Sequence, residues 1–322
     1  MHRTILLAAS LLAAATQLAS AGITLSDYNL ITTGDVTTNS DVQGRVLVGG
    51  TLKSNNFTFG GQLAGGALTP PAGIFNALAG NVTNLNTNGH NFIYGSGPAS
   101  VNGVAADPST VTTFTDGLSS YLADVSAAYA ALTTNSTVDA SDPNQIKFNA
   151  MPTTINGRSV AVFSIDQSLL TQSGTVSALT GVGAGTTVII NVMGGNAINY
   201  FSSGLNFAAF SNLANEAHLL FNFQNATALN GFNNFGGSIL APNADLTTSS
   251  SPVGSIYVKS ITQIGEIDLP RSFGSPRPGF EGYVPPLVDP SPNPVPEPAT
   301  ILSTLSGLAI VGAGWLRRRR AA

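Results

Sequence analysis

The side chains able to make or break bonds are few and scattered. Of three histidines, His2 lies at the start, His90 stands in an Asn- and Gly-rich turn, and His218 opens an apolar strand. No H-E-x-x-H places two imidazoles on one helix face, and with no Cys there is neither a thiolate nucleophile nor a Cys-ligated zinc site. No Ser sits in a G-x-S-x-G elbow. The glycine pairs Gly49-Gly50, Gly60-Gly61, Gly65-Gly66, Gly194-Gly195 and Gly236-Gly237 lack the following Lys of a phosphate loop and read as turns and corners. Carboxylates remain, because glycosidic cleavage needs two of them roughly 5–9.5 Å apart across a cleft. Asp35 and Asp41 flank one short strand, and Glu266 and Asp268 stand two apart on another, so each pair could share a face. The competing reading makes them Asx-turns and edge-protecting charges. No D-x-[DN]-x-[DN]-G loop and no repeated G-G-x-G-x-D marks a calcium site. Composition and spacing therefore predict no enzyme, no cofactor and no metal.

The elements that would position these residues are short strands. Arg45-Val46-Leu47-Val48-Gly49-Gly50, Val160-Ala161-Val162-Phe163, Val188-Ile189-Ile190-Asn191-Val192 and Leu219-Leu220-Phe221-Asn222-Phe223 are apolar runs punctuated by Gly or Asn. Asn numbers 28, and its side chain suits tight left-handed corners and stacked ladders. Val42-Gln43-Gly44-Arg45-Val46-Leu47-Val48 is echoed by Pro252-Val253-Gly254-Ser255-Ile256-Tyr257-Val258, as equivalent coils of a solenoid would be. The expected fold is mainly β, an irregular β-solenoid, with a Greek-key sandwich as the alternative. Phe114, Leu118, Tyr121, Leu122, Val125, Tyr129 and Leu132 recur at spacings of three and four behind Asp107-Pro108-Ser109. This predicts one long amphipathic helix over 109–132, flanking the solenoid, with Tyr121 and Tyr129 as core. Thr32-Thr33, Thr37-Thr38, Thr112-Thr113, Thr133-Thr134 and Thr247-Thr248 are adjacent pairs. Neighbours in a strand face opposite ways, so only half of each pair can join an outward row, which argues against an ice-templating array.

Both ends read as addresses. Met1–Ala21 has Arg3, an apolar run from Ile5 and the small-x-small triplet ending a signal peptide, Ala19 and Ala21 forming the signal-peptidase site. At the other end stand Pro296, Glu297 and Pro298, an uncharged stretch over 299–316, and Arg317, Arg318, Arg319 and Arg320. Eighteen residues at ~1.5 Å each reach about 27 Å, enough to span a bilayer with the arginines kept cytoplasmic. Gly307, Gly312 and Gly314 weaken that helix, which suggests a transient span. Ten of the 18 prolines fall between Pro270 and Pro298, so the body is expected over 22–273 and a stalk over 274–295. Twelve basic residues face 16 acidic ones; between Ala21 and Ala299 stand seven of the basic residues and all 16 acidic ones, or −9. A body of that charge excludes nucleic acid as a partner.

The order of Pro-Glu-Pro, apolar helix and Arg cluster over 296–322 resembles the PEP-CTERM sorting signal. That resemblance implies an exosortase-type processing enzyme, membrane contact through the C-terminal helix before processing, and delivery to the outer surface or exopolysaccharide matrix of a Gram-negative bacterium. A permanent anchor is the alternative, and both place the body outside the cytoplasm. Gly34-Asp35-Val36, Ser40-Asp41-Val42-Gln43-Gly44-Arg45-Val46-Leu47-Val48-Gly49-Gly50, Leu219-Leu220-Phe221-Asn222-Phe223 and Gly237-Ser238-Ile239-Leu240-Ala241-Pro242-Asn243-Ala244 resemble the choice-of-anchor A domain. This second resemblance implies an ice-binding-like solenoid with a flanking helix. Its implied role is adhesion to exopolysaccharide or neighbouring cell surfaces, with no binding residues to carry over. A carbohydrate-active enzyme and a passive coat are the competing functions.

Overall fold

The computed structural model describes residues 23–287 apart from 55, 196, 200–204, 207–208, 211–215, 231–235, 249–250, 264 and 273–274. The segments expected as signal peptide (1–21), transient helix (299–316) and sorting motif lie outside the described residues. Among the described residues no helix is long and apolar enough to cross a membrane. The chain divides into two units, Met1–Pro285 and Pro286–Ala322, and the description below concerns the first.

The fold is mainly β. Nine of the 13 strands of its principal sheet are β1 (Leu30–Thr32), β2 (Val46–Lys53), β3 (Gly73–Leu78), β4 (Phe92–Ser96), β5 (Arg158–Asp166), β6 (Thr187–Met193), β7 (Leu219–Asn222), β8 (Ser238–Thr248) and β9 (Ile256–Gln263). Their order is β5-β6-β7-β8-β9-β1-β2-β3-β4, parallel throughout, with Thr153–Ile155 added antiparallel outside β5. The chain starts in the middle of the sheet, builds outward to β4, crosses to the far edge, and builds back until β9 meets β1. The echo found in the sequence lies on the two strands that flank β1, at one register, since Val46 and Ile256 both pair with Leu30.

β2 and β8 change register partway, between Val48 and Thr51 and between Ala241 and Asp245, and these shifts divide the 13-stranded sheet into two parallel stretches, a first sheet and a second sheet. Gly49-Gly50 makes the first bend. A Cβ on Gly49 would meet Thr33 O at 2.8 Å and one on Gly50 would meet Asp35 Oδ1 at 2.6 Å, so the corner requires glycine. Pro242, which has no N–H to give a ladder, falls inside the second bend. Among the described residues the non-glycine positions with positive φ are Asn88, Asn102 and Asn156, in keeping with the corner role expected of Asn.

The crossing is made by α1 (Pro108–Thr115) and α2 (Leu118–Ala130). This 23-residue helical stretch begins at the expected cap, Asp107 accepting from Thr110 N at 3.1 Å. It breaks at Gly117, whose φ of 71° is left-handed, so that α1 lies over β3 and β4 while α2 lies over β6, β7 and β8. Val111, Leu118, Leu122, Val125 and Tyr129 bury themselves on the outward rank Leu240, Tyr257, Ile31, Leu47 and Ile74. Tyr129 is core, as the helical spacing predicted, whereas Tyr121 stays partly exposed. Polar groups also fix α2. Asn222 accepts from Ser126 Oγ at 2.6 Å and donates to Ser126 O and Asn191 Oδ1, both at 2.9 Å, and Asn191 donates to Tyr129 O at 2.9 Å.

One boundary differs from the sequence reading. Residues 275–285, expected to begin the stalk, pack on the body instead. Phe280 N bonds Leu25 O at 3.2 Å, Glu281 N bonds Ala217 O at 2.8 Å and Tyr283 N bonds Thr187 Oγ1 at 2.8 Å. Phe280 and Tyr283 are buried, and two aromatics among prolines outweigh the extended preference of a Pro-rich segment.

Candidate functional site

The second parallel sheet is assembled from the far ends of the bent strands. It runs through Ala197–Asn199, Ala228–Asn230, the end of β8, the end of β9, Val36–Thr38, the end of β2 and the end of β3. Each contribution carries a buried aliphatic residue. The inward rank, Ile198, Leu229, Leu246, Ile261, Val36, Leu52 and Leu78, is buried throughout. Period-two alternation then forces the neighbours out. One outward rank pairs Asn230, Thr247, Thr262, Thr37 and Lys53 in unbroken register. Strands are ~4.8 Å apart, so this row covers about 19 Å. Thr37, Thr262 and Lys53 are exposed; Asn230 and Thr247 are half-buried. The other outward rank is mixed, with Ala228, Asp245 and Ser260 on one side and Thr51 and Ala77 on the other.

Charges on this face are neutralised where they stand. Lys53 Nζ lies 2.6 Å from Asp35 Oδ2, and Asp35 Oδ1 accepts from Thr51 N at 2.8 Å. The Lys53 hydrogen bond, followed by the Thr51 amide, holds the Asp35 carboxyl below its ordinary range. Asp245 Oδ1 accepts from Ser260 Oγ at 2.6 Å and lies 3.2 Å from Lys259 Nζ. Exposed pairs of this kind add little stability. Their effect is to leave hydroxyls, amides and methyls as what the face presents. At the Lys53 end the row opens into a groove of about 470 Å3 lined by Thr37, Asn39, Lys53, Asn81, Thr262 and Gln263.

The residues singled out in the sequence are distributed as follows. Glu266 and Asp268 do share a face, bridged by Gln43 Nε2, which donates to Glu266 Oε1 at 3.0 Å and to Asp268 Oδ1 at 2.6 Å. Burial, and then the Glu266 charge, raise the Asp268 pKa. Asp35 and Asp41 are not brought together as an acid pair: Asp35 is tied to Lys53, while the Asp41 carbonyl accepts from Gln263 Nε2 at 2.8 Å. His90 is buried and spans a turn, its Nδ1 2.8 Å from Gly66 O and its Nε2 3.2 Å from Gly60 O. His218 lines a second cavity, of about 550 Å3, with Arg158, Tyr121, Phe280 and Glu281. Burial lowers its pKa, and its Nδ1 finds no hydrogen-bond partner among the described residues. Among the described residues no three of His, Asp and Glu gather to hold a metal. Ala19, Ala21, Pro296, Glu297, Pro298, Arg317, Arg318, Arg319 and Arg320 lie outside the described residues.

Of the threonine pairs, Thr37 and Thr247 enter the outward row while Thr38 and Thr248 turn inward, the split that alternation requires. Thr262, Asn230 and Lys53 complete the row and were not among the residues marked in the sequence. A signal for them exists in Asp35-Val36-Thr37, Thr51-Leu52-Lys53, Asp245-Leu246-Thr247, Ser260-Ile261-Thr262 and Ala228-Leu229-Asn230: a single aliphatic between two small or polar residues, recurring at irregular intervals.

The chain matches a family model, described as Putative Ice-binding-like adhesive domain, over residues 22–269. No curated protein and no solved structure matches it. With a parallel sheet covered by its helices on one side and a second sheet left bare on another, and with the family match spanning most of the length, the chain belongs to the ice-binding-like adhesive domain family.

Proposed function

We propose that this protein is an exported, non-catalytic surface adhesin whose coils form an irregular β-solenoid and whose bare second sheet binds matrix polysaccharide or neighbouring cells. The observation that carries this reading is the row Asn230, Thr247, Thr262, Thr37 and Lys53, a rigid line of hydrogen-bonding groups in strict register with its charges already paired. Each hydrogen bond made along such a row contributes only about 0.5–1.5 kcal/mol. Useful strength then comes from repetition along one chain and from many copies on one surface. Membership in an adhesive-domain family is compatible with this role and suggests a surface or extracellular protein. Ice remains a poor ligand, because the neighbouring rank holds Ala228, Asp245 and Ser260 rather than a second line of Thr.

The route outward is part of the same proposal. A signal peptidase acts after Ala21, an exosortase-type enzyme acts near Pro296-Glu297-Pro298 of a PEP-CTERM signal, and the choice-of-anchor A body is presented on the Pro-rich segment at the outer surface. Peptide mapping of protein recovered from the host's envelope and matrix tests the route: a new C-terminus near Pro296–Pro298 is expected, and retention of Arg317–Ala322 would replace sorting by a permanent anchor. For adhesion, the chain should bind the producer's exopolysaccharide or cells saturably, and Thr37→Lys with Thr262→Lys should abolish binding while leaving the fold intact. Absence of saturable binding would favour a passive coat.

One observation favours a second reading, a carbohydrate-active enzyme: the Glu266 and Asp268 carboxyls converge, and Asp268 has a raised pKa. Gln43 occupies the space between them, which is why adhesion is preferred. Shortening of glycan chains on incubation, lost in Asp268→Asn, would reverse that preference.

A further inference from the structure

We infer that the groove at the Lys53 end of the threonine row is a subsite for one ring of a neutral hexopyranose chain; this rests on the reading of the second sheet as the adhesive face. The groove, of about 470 Å3, falls within the size of ordinary ligand sites. Its chemistry narrows the occupant. Gln263, 4% exposed, lines it, and its Nε2 donates to Asp41 O and Gly265 O, both at 2.8 Å, which fixes the orientation of the amide. Its Oε1 is buried and has no donor among the described residues. A buried acceptor without a donor costs free energy, and a bound molecule that supplies an O–H or N–H recovers it. A carboxylate or sulfate cannot donate, and the −9 body repels both. An ammonium group would have to sit beside the Lys53 ammonium, whose counter-charge Asp35 is already engaged at 2.6 Å. A neutral polyol satisfies every term.

The remaining walls suit a sugar ring. Thr37 and Thr262 are directly paired, so two outward hydroxyls stand one strand spacing apart, ~4.8 Å. Each hydroxyl can donate to or accept from ring hydroxyls, and the threonine methyls offer apolar contact to ring C–H groups. Thr262 and Asn39, which also line the groove, are exposed, and exposed side chains change rotamer on the picosecond to nanosecond scale. A chain leaving the groove along the row would next pass Thr247.

The test is isothermal titration calorimetry of the full chain with maltohexaose, cellohexaose and mannohexaose as neutral probes and hexagalacturonate as the anionic one. Saturable binding of at least one neutral hexamer is expected, with no saturation by hexagalacturonate. Thr262→Val, isosteric and strand-compatible, should weaken that binding about fivefold, whereas Thr247→Val, on the same row beyond the groove, should weaken it less than about twofold. Gln263→Met should weaken it further; should that variant fail to fold, the two threonine variants still decide. Failure of all three neutral hexamers to saturate, tighter binding of hexagalacturonate, or equal losses in both valine variants would each overturn the inference. Retention on the producer's cells, measured in parallel, separates the two levels. If cells are bound and Thr247→Lys removes that binding while no hexamer saturates, the groove inference falls and adhesion stands; if neither is bound, both fall.

Discussion

The protein's two parallel sheets share strands and corners, yet one is covered and the other bare. In the first, the outward rank Leu240, Tyr257, Ile31, Leu47 and Ile74 is apolar, and α1 and α2 lie across it. In the second, a few residues further along the same strands, the outward rank is Thr247, Thr262, Thr37 and Lys53. The inward ranks of both are mostly apolar, although the second also turns Thr38, Thr248 and Gln263 inward. What differs is one residue in two. The lesson is that a helix seals whichever face the outward rank makes apolar, and the same alternation leaves the other available for binding.

The comparison can be broken most severely by changing the covered rank. Leu47→Ala should cost about 2–5 kcal/mol, because it opens a cavity under the helices, whereas Thr37→Ala, the corresponding outward change on the bare sheet, should stay within roughly 1 kcal/mol. Urea denaturation measures both, and equal costs would mean that the bare face is covered by something in the folded chain. Next comes the polar seam that positions α2. Asn222→Leu leaves the Ser126 carbonyl and the Asn191 amide oxygen without their donor, an expected loss of about 2–3 kcal/mol by the same measurement. A loss no larger than that of Thr37→Ala would show that apolar packing alone holds the helix.

A smaller effect is expected at the border of the covered sheet, where His218 lies near Glu281, Arg158 and Arg277. Burial holds its folded pKa below the ordinary 6.5, with Arg158 and Arg277 acting in the same direction and Glu281 opposing. The unfolded chain therefore binds the proton more readily, so this group's contribution is intact above pH 6.5 and is lost as pH falls toward the folded value. Wild type should lose stability in that window and His218→Gln should lose less; parallel curves would place the pH dependence elsewhere. The smallest change is expected from Lys53→Met on the bare face. Its ion pair with Asp35 is exposed on both sides, and removing it should shift stability by less than about 1 kcal/mol. A larger shift would mean that the charged end of the row supports the corner at Gly49-Gly50 as well as displaying a side chain.

Much of this architecture was legible. Val46–Lys53, Arg158–Asp166, Thr187–Met193 and Leu219–Asn222 cover the four runs recognised as strands to within one residue, because β-branched and aromatic alternation is a local signal. Val46 and Ile256, the matching positions of the echo, both pair with Leu30. The helical stretch was visible from its spacing and cap, but its break at Gly117 was not, since one glycine in an apolar-periodic run has no fixed meaning without the sheet that the helices cross. The packing of 275–285 on the body was hidden by proline content, which masked Phe280 and Tyr283. At the candidate site, adjacent threonines were correctly expected to divide between faces, while Thr262 and Gln263 went unremarked because neither stands in a pair or motif.

Local sequence by itself determined four of the strands, the long helical stretch with its cap, the net charge between Ala21 and Ala299, and that alternate residues of each strand face opposite ways. Only tertiary structure decided that β1 sits between β9 and β2, that Gln43 joins Glu266 to Asp268, and that Asn230, Thr247, Thr262, Thr37 and Lys53 form one line. The physical reason is separation along the chain. Alternation is set by the backbone within two residues, whereas a row across a parallel sheet depends on the register of strands more than two hundred positions apart, which loops of unequal length leave unspecified until the core is packed.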